Sequence, residues 1–187
     1  ADCPDDICSN RRRICDLRLT SGRTAVHADM LVWSRGETIE GAALPILSAL
    51  FGTVQYSMIL DTVRSEHKEV IRHWIDFTMR HRETLLKGDF RPHHPEGGYS
   101  WVEAESAAER ITAVYSPSVC ANSGAADKPV ILVNATGTGA VLVELAADAR
   151  VEFFDVLGRP SGKTSAGKGL VRLAVPASGY AKIVWNR

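Results

Sequence analysis

Two clusters of chemically capable side chains stand out in this chain. The first is Asp2-Cys-Pro-Asp5-Asp6, a dense run of carboxylates just before a helical segment. Asp5 or Asp6 is accounted for as a helix cap, whereas Asp2 lies too far upstream to cap and is left over. The second is Thr24–Trp33, T-A-V-H-A-D-M-L-V-W, in which His27 and Asp29 alternate on an apolar strand. Period-two geometry sends both side chains to one face. Taken by itself, that pair suits either a satisfied His–carboxylate pair in a core or a sugar pocket. In the pocket, imidazole and carboxylate grip hydroxyls while Met30 packs on the ring.

Other candidates are weaker. His67, His73 and His81 share one helix, but no two are four residues apart, so they do not form a zinc face. His93-His94 sits in a Pro-flanked stretch and reads as a linker. Gly158-Arg-Pro-Ser-Gly-Lys-Thr164 falls one residue short of P-loop spacing and lies between strands. Asn134-Ala-Thr136 is a glycosylation sequon, with meaning only in a secreted eukaryotic protein. Trp101 and Trp185 could serve as sugar platforms, but their strands read as sandwich core. Cys3, Cys8, Cys15 and Cys120 follow neither a metal nor a disulfide pattern. Cys8 and Cys15 read as small buried hydrophobes on one helix face.

The elements that position these residues fall into two textures. Residues 1–87 alternate helix and strand. A helix runs from Asp5 or Asp6 to about Leu19, with Ile7, Ile14 and Leu17 buried and the Arg11–Arg13 run on a solvated face. The strand Thr24–Val32 follows. A helix from about Glu37 to Phe51 is expected to kink or start late at Pro45. Then come a strand Val54–Leu60 and a helix Ser65–His81, with Val70, Ile71, Trp74, Ile75 and Phe77 as its apolar face. Strand-helix-strand-helix with short connections implies parallel strands, and two such units leave raw edges. This part is therefore expected to need the rest of a barrel.

Residues 88–187 carry eight short strands: Tyr99–Glu105, Arg110–Tyr115, Val130–Asn134, Val141–Leu145, Val151–Val156, one near Lys163, Leu170–Val175 and Tyr180–Trp185. Gly, Pro, Asn and Ser turns separate them, the pattern of an antiparallel β-sandwich. The expected fold class is thus α/β plus all-β, with domains at 1–87 and 88–187.

Composition narrows the function classes. With 22 basic and 22 acidic residues among 187, the chain has no electrostatic case for nucleic acid or an anionic membrane. No apolar run approaches the ~20 residues of a membrane span. The acidic start is unlike the basic n-region of a signal peptide. Beginning without Met, the chain reads as a fragment or a processed product.

Three segments together resemble a known family, the melibiase-type α-galactosidases, which are retaining glycoside hydrolases. Asp2-Cys-Pro-Asp5-Asp6 is similar to the family's S-D-D-T-D-type segment after the sixth barrel strand. It departs from that pattern at Cys3-Pro4, which leaves Asp2 and Asp5 both open as the acid/base. Ala25-Val-His27-Ala-Asp29-Met-Leu-Val32 resembles the seventh strand, and Leu50–Leu60 the last turn of the seventh helix and the eighth strand. His81–Phe90 resembles the exit into the C-terminal sandwich.

The resemblance implies the last β/α units of a (β/α)8 barrel followed by a sandwich. Asp2 would then be the acid/base of a double displacement, with two carboxyls about 5–5.5 Å apart. His27, Asp29 and Met30 would hold the sugar. No cofactor and no metal are implied. The partners would be an α-galactoside or oligosaccharide substrate and the remainder of the chain's own barrel, with oligomerisation left open. The family nucleophile lies on the fourth strand, so the chain alone should be inactive. The competing reading is a non-catalytic carbohydrate-binding or interaction module.

Overall fold

A computed structural model describes residues 6–22 and 24–186, with the backbone only of Asp29 and Met30. Three layers stack on one another. Helices and a two-stranded parallel pair form the first. A seven-stranded sheet forms the middle, and a three-stranded sheet closes the far side.

Helix α1 (Ile7–Thr20) starts at Asp6, whose carboxylate accepts from the Ser9 N–H at 2.8 Å. Its buried side is Asn10, Arg11, Ile14 and Cys15. Ile7 and Leu17, expected inside, are exposed. The expected solvated arginine run is also corrected. Arg11 is buried, donating to the Gly98 carbonyl at 2.8 Å and lying 4.3 Å over the Tyr115 ring, while Arg12 and Arg13 face solvent. An arginine stem with a planar head can cover apolar surface and still satisfy its donors. Helical spacing by itself does not see this.

Strand β1 (His27–Leu31) pairs in parallel with β2 (Thr53–Tyr56), His27 opposite Thr53 and Leu31 opposite Tyr56. Both strands are shorter than the apolar runs suggested. Between them runs α2 (Ile39–Ser48), capped by the Thr38 hydroxyl and carrying Pro45 inside. After β2 the chain makes a 3-10 turn (Leu60–Thr62) and enters α3 (Ser65–Arg80). Val70, Ile71, Trp74 and Phe77 are buried as expected, but Ile75 is exposed. A short helix α4 (Arg82–Lys87) follows.

Gly88 is the seam. A Cβ there would lie 2.4 Å from the Thr84 carbonyl oxygen and 2.7 Å from that of Glu105, so only glycine lets the end of α4 touch the sheet.

The remaining strands are β3 (Asp89–His93), β4 (Trp101–Glu105), β5 (Arg110–Val114), β6 (Cys120–Asn122), β7 (Val130–Asn134), β8 (Val141–Leu145), β9 (Ala149–Phe154), β10 (Pro160–Ala166), β11 (Gly169–Leu173) and β12 (Tyr180–Trp185). The large sheet runs β10-β9-β12-β7-β5-β4-β3 and the small one β11-β8-β6. All eight expected strands are present. Two more, β3 and β6, escaped the reading, so His93 ends a strand instead of sitting in a linker. The expected antiparallel pairing is also corrected: β5–β7 and β6–β8 are parallel.

The centre of the middle sheet is covered on both faces, whereas its edge strand β10 is exposed. Val102, Ala104, Ile111, Ala113, Ile131 and Val133 pack toward the helices, sharing one cluster with Ile14, Leu47, Trp74 and Phe77. Trp101, Val114, Val130 and Leu132 pack toward β8 and β11. This explains why β5 and β7 are buried at all five positions: two covered faces remove the usual alternation. Polar ties reinforce the helix–sheet contact. Tyr99 donates to Asp16 at 2.5 Å, Tyr115 to the Leu47 carbonyl at 2.9 Å, and Ser178 to that of Glu40 at 2.8 Å. His81 and Thr84 both reach Glu109, at 2.8 and 2.9 Å.

Candidate functional site

The face of β1–β2 away from the helices is open. Ala28 and Leu31 are buried, whereas His27, Thr53 and Gln55 are exposed. Register places His27 beside Thr53, so the imidazole lies on the uncovered face. Asp29 and Met30 belong to the same strand, with side chains outside the described part. Asp2, and the alternative Asp5, lie outside the described residues. Of the four expected site residues, the structure therefore places the side chain of one.

A cleft of about 200 Å³ opens where the two strands end. The strands finish level, Leu31 against Tyr56, and Trp33 and Met58 each lie two residues beyond. Both line the cleft with Arg35, Val63, Arg64 and His67. His67 is the first-turn histidine of α3 and is 1% exposed. The Trp33 indole donates to its Nδ1 at 3.1 Å, and its Nε2 lies 3.0 Å from the Glu37 carbonyl oxygen. An indole nitrogen can only donate, so Nδ1 accepts and Nε2 carries the hydrogen. The two rings meet edge to face at 6.0 Å between centroids. Trp33 is thus held in one orientation by a buried partner that is itself fixed from behind.

Charge in the cleft is lopsided. Arg64 is engaged, pairing with Glu66 and donating to the Glu37 carbonyl at 3.4 Å. Arg35 is exposed, and no partner for it is seen among the described residues. Among those residues, no group of three or more His, Cys, Asp or Glu is arranged to hold a metal ion.

Sequence reasoning missed this cleft. His67 looked like one of three scattered helix histidines, and Trp33 like the end of an apolar run. The available signal was positional: residues just past the C-terminal ends of parallel strands line active sites in α/β folds.

The tryptophans of the sandwich behave differently. Trp101 is 8% exposed and stacked on His93 at 3.8 Å, and Trp185 is 9% exposed with its indole donating to the Lys128 carbonyl. Neither offers an open ring. Asn134 is fully buried and its amide donates to the Thr138, Val175 and Pro176 carbonyls. The sequon is therefore a turn-locking asparagine, inaccessible to a glycan.

No family model, curated protein or solved structure matches this chain. Among the described residues, no helix is long and apolar enough to cross a membrane.

Proposed function

We propose that this chain is the C-terminal part of a retaining glycoside hydrolase acting on terminal α-galactosides or related α-glycosides. In this reading β1 and β2 are the last two strands of a (β/α)8 barrel, and residues 88–187 form the sandwich that follows it. The single observation that carries the reading is the parallel pair, helix-covered on one face and open on the other. Parallel sheets are stable when both faces are covered and further strands pair with their edges. The open face carries His27, and the cleft lies at the strand ends where barrel enzymes place their chemistry.

Asp2 is the acid/base of this mechanism. It protonates the glycosidic oxygen as the bond to the leaving group breaks, then takes a proton from the water that releases the glycosyl ester. The nucleophile comes from an earlier barrel strand, so the isolated chain does not turn over substrate. His27, Asp29 and Met30 hold the sugar.

The competing reading, a binding module built on the sandwich, is disfavoured because Trp101 and Trp185 are both buried.

The test is hydrolysis of 4-nitrophenyl α-D-galactopyranoside by the longest reading frame that contains the chain, with the anomeric outcome followed by NMR. The reading predicts retention and a loss of roughly a hundredfold or more in Asp2→Asn. Full activity in that variant would remove Asp2 from the mechanism, and inversion would remove double displacement.

A further inference from the structure

The cleft beyond β1 and β2 sets apolar walls beside an exposed guanidinium. Its volume of about 200 Å³ is that of six or seven waters at about 30 Å³ each, the bulk of a single pyranose. Trp33 and Met58 supply apolar walls of the kind that pack on the C–H face of a sugar. The Trp33 ring does not need to reorganise, because His67 fixes its indole N–H and the Glu37 carbonyl fixes His67. Such preorganisation is what separates a binding platform from an aromatic that is merely half-buried.

The charge argument comes from the two arginines. Arg64 is held by Glu66 and the Glu37 carbonyl, which leaves its guanidinium largely occupied. Arg35 lines the same cleft with no ion pair among the described residues. A guanidinium presents a fork of donors that matches a carboxylate in two parallel hydrogen bonds. An unpaired fork beside a fixed aromatic ring favours a carboxylated sugar over a neutral one. It also favours it over a small inorganic anion, which would leave the indole unused.

We infer that the cleft formed by Trp33, Arg35, Met58 and His67 is a saccharide subsite for a uronic acid, with Arg35 reading the carboxylate and Trp33 stacking on the ring. This rests on the glycosidase reading and narrows its substrates to α-glycosides whose leaving-group sugar is acidic. Trp33 and Arg35 bind substrate in this account, and His67 is a positioning residue that acts through Trp33.

The experiment is a titration of the full chain followed through its tryptophan indole N–H resonances, with Trp33 assigned from Trp33→Phe. Methyl α-D-galacturonoside, methyl α-D-galactoside and inorganic phosphate are the three probes. The galacturonoside is expected to shift the Trp33 resonance and bind at least tenfold tighter than the galactoside. Arg35→Gln should erase that preference, and His67→Gln should weaken both sugars together without changing their ratio. Equal binding of the two sugars at Trp33 would overturn the acidic-sugar inference and leave the glycosidase reading standing. Phosphate binding as tightly as the galacturonoside, with the same Arg35 dependence, would overturn it in favour of a simple anion site. If neither sugar moves Trp33, the subsite is refuted and the glycosidase reading is left to its own hydrolysis test.

Discussion

The first 87 residues and the sandwich that follows solve the same problem in opposite ways. Both must cover β-structure that is apolar on at least one face. The large sheet is covered: β5 and β7 are buried at every position, between the helices of the first region on one side and the small sheet on the other. The parallel pair is not covered on both faces. Eight of the nine large apolar side chains left exposed among the described residues lie before Gly88. They are Ile7, Leu17, Leu19, Val32, Ile59, Leu60, Ile75 and Met79, against Leu170 alone beyond it. An apolar groove of about 280 Å³ also runs beside β2, lined by Val54, Tyr56, Ile75 and Met79. Scattered exposed hydrophobics are ordinary, but Ile75 and Met79 share this groove with the unpaired edge of β2. The difference separates a sheet covered on both faces from a strand pair with an exposed face and, among the described residues, an unpaired edge.

The largest effect on this arrangement is expected at the seam between the two regions. Gly88→Ala puts a methyl group against two backbone oxygens that no rotamer change can move. Overpacking of this kind costs about 1–3 kcal/mol, measurable as a lower urea midpoint. If the two regions meet only loosely, the midpoint will not change.

Acid should act mainly on the sheet side. Hydrogen bonds from Lys128 and Arg110 hold the Glu105 carboxyl down to about 2 from its ordinary 4.5. For Glu109, burial pushes upward, but the bonds from His81 and Thr84 outweigh it and the net direction is down. A carboxyl depressed by folding stabilises the fold fully above its unfolded pKa, and that contribution drains away as pH falls through the folded value. The contribution of Glu105 should therefore be constant from neutrality to about pH 4.5 and be lost toward pH 2, on top of a decline that starts nearer neutrality because burial lowers the His73 pKa. Urea midpoints across that range check it, and Glu105→Gln should start lower and fall less steeply. A wild-type chain that holds its midpoint to pH 3 would show that this network contributes little.

Much of the sandwich was legible from pattern alone. Val130–Asn134, Val141–Leu145 and Tyr180–Trp185 were bounded correctly because each short apolar stretch begins just after a turn residue, Pro129, Gly139 or Gly179. Asp89–His93 was missed because it is polar and contains Pro92, both compatible with an edge strand and with a linker. Cys120–Asn122 is too short to show a period. In α1, hydropathy put Ile7 and Leu17 inside and Arg11 outside, and the partners that reverse this, Gly98 and Tyr115, lie far along the chain.

The candidate site divides the same way. That His27 sits on a strand was legible from the apolar residues around it. The cleft did not follow, because Trp33, Met58 and His67 come from three separate segments and meet only once β1 and β2 end level.

Backbone hydrogen exchange tests the contrast most directly. The Thr53 and Ser57 N–H groups bond to the Val26 and Leu31 carbonyls, so by alternation those of Val54 and Tyr56 point away from β1. No described strand pairs with that edge. In the isolated chain, the Val54 and Tyr56 amides should exchange far faster than those of Leu132 on β7 or Ile183 on β12. In the longest reading frame that contains the chain, they should become protected while the sandwich amides stay as they are. If Val54 and Tyr56 exchange equally fast in both, the parallel pair is not continued by further strands, and the barrel reading fails with it.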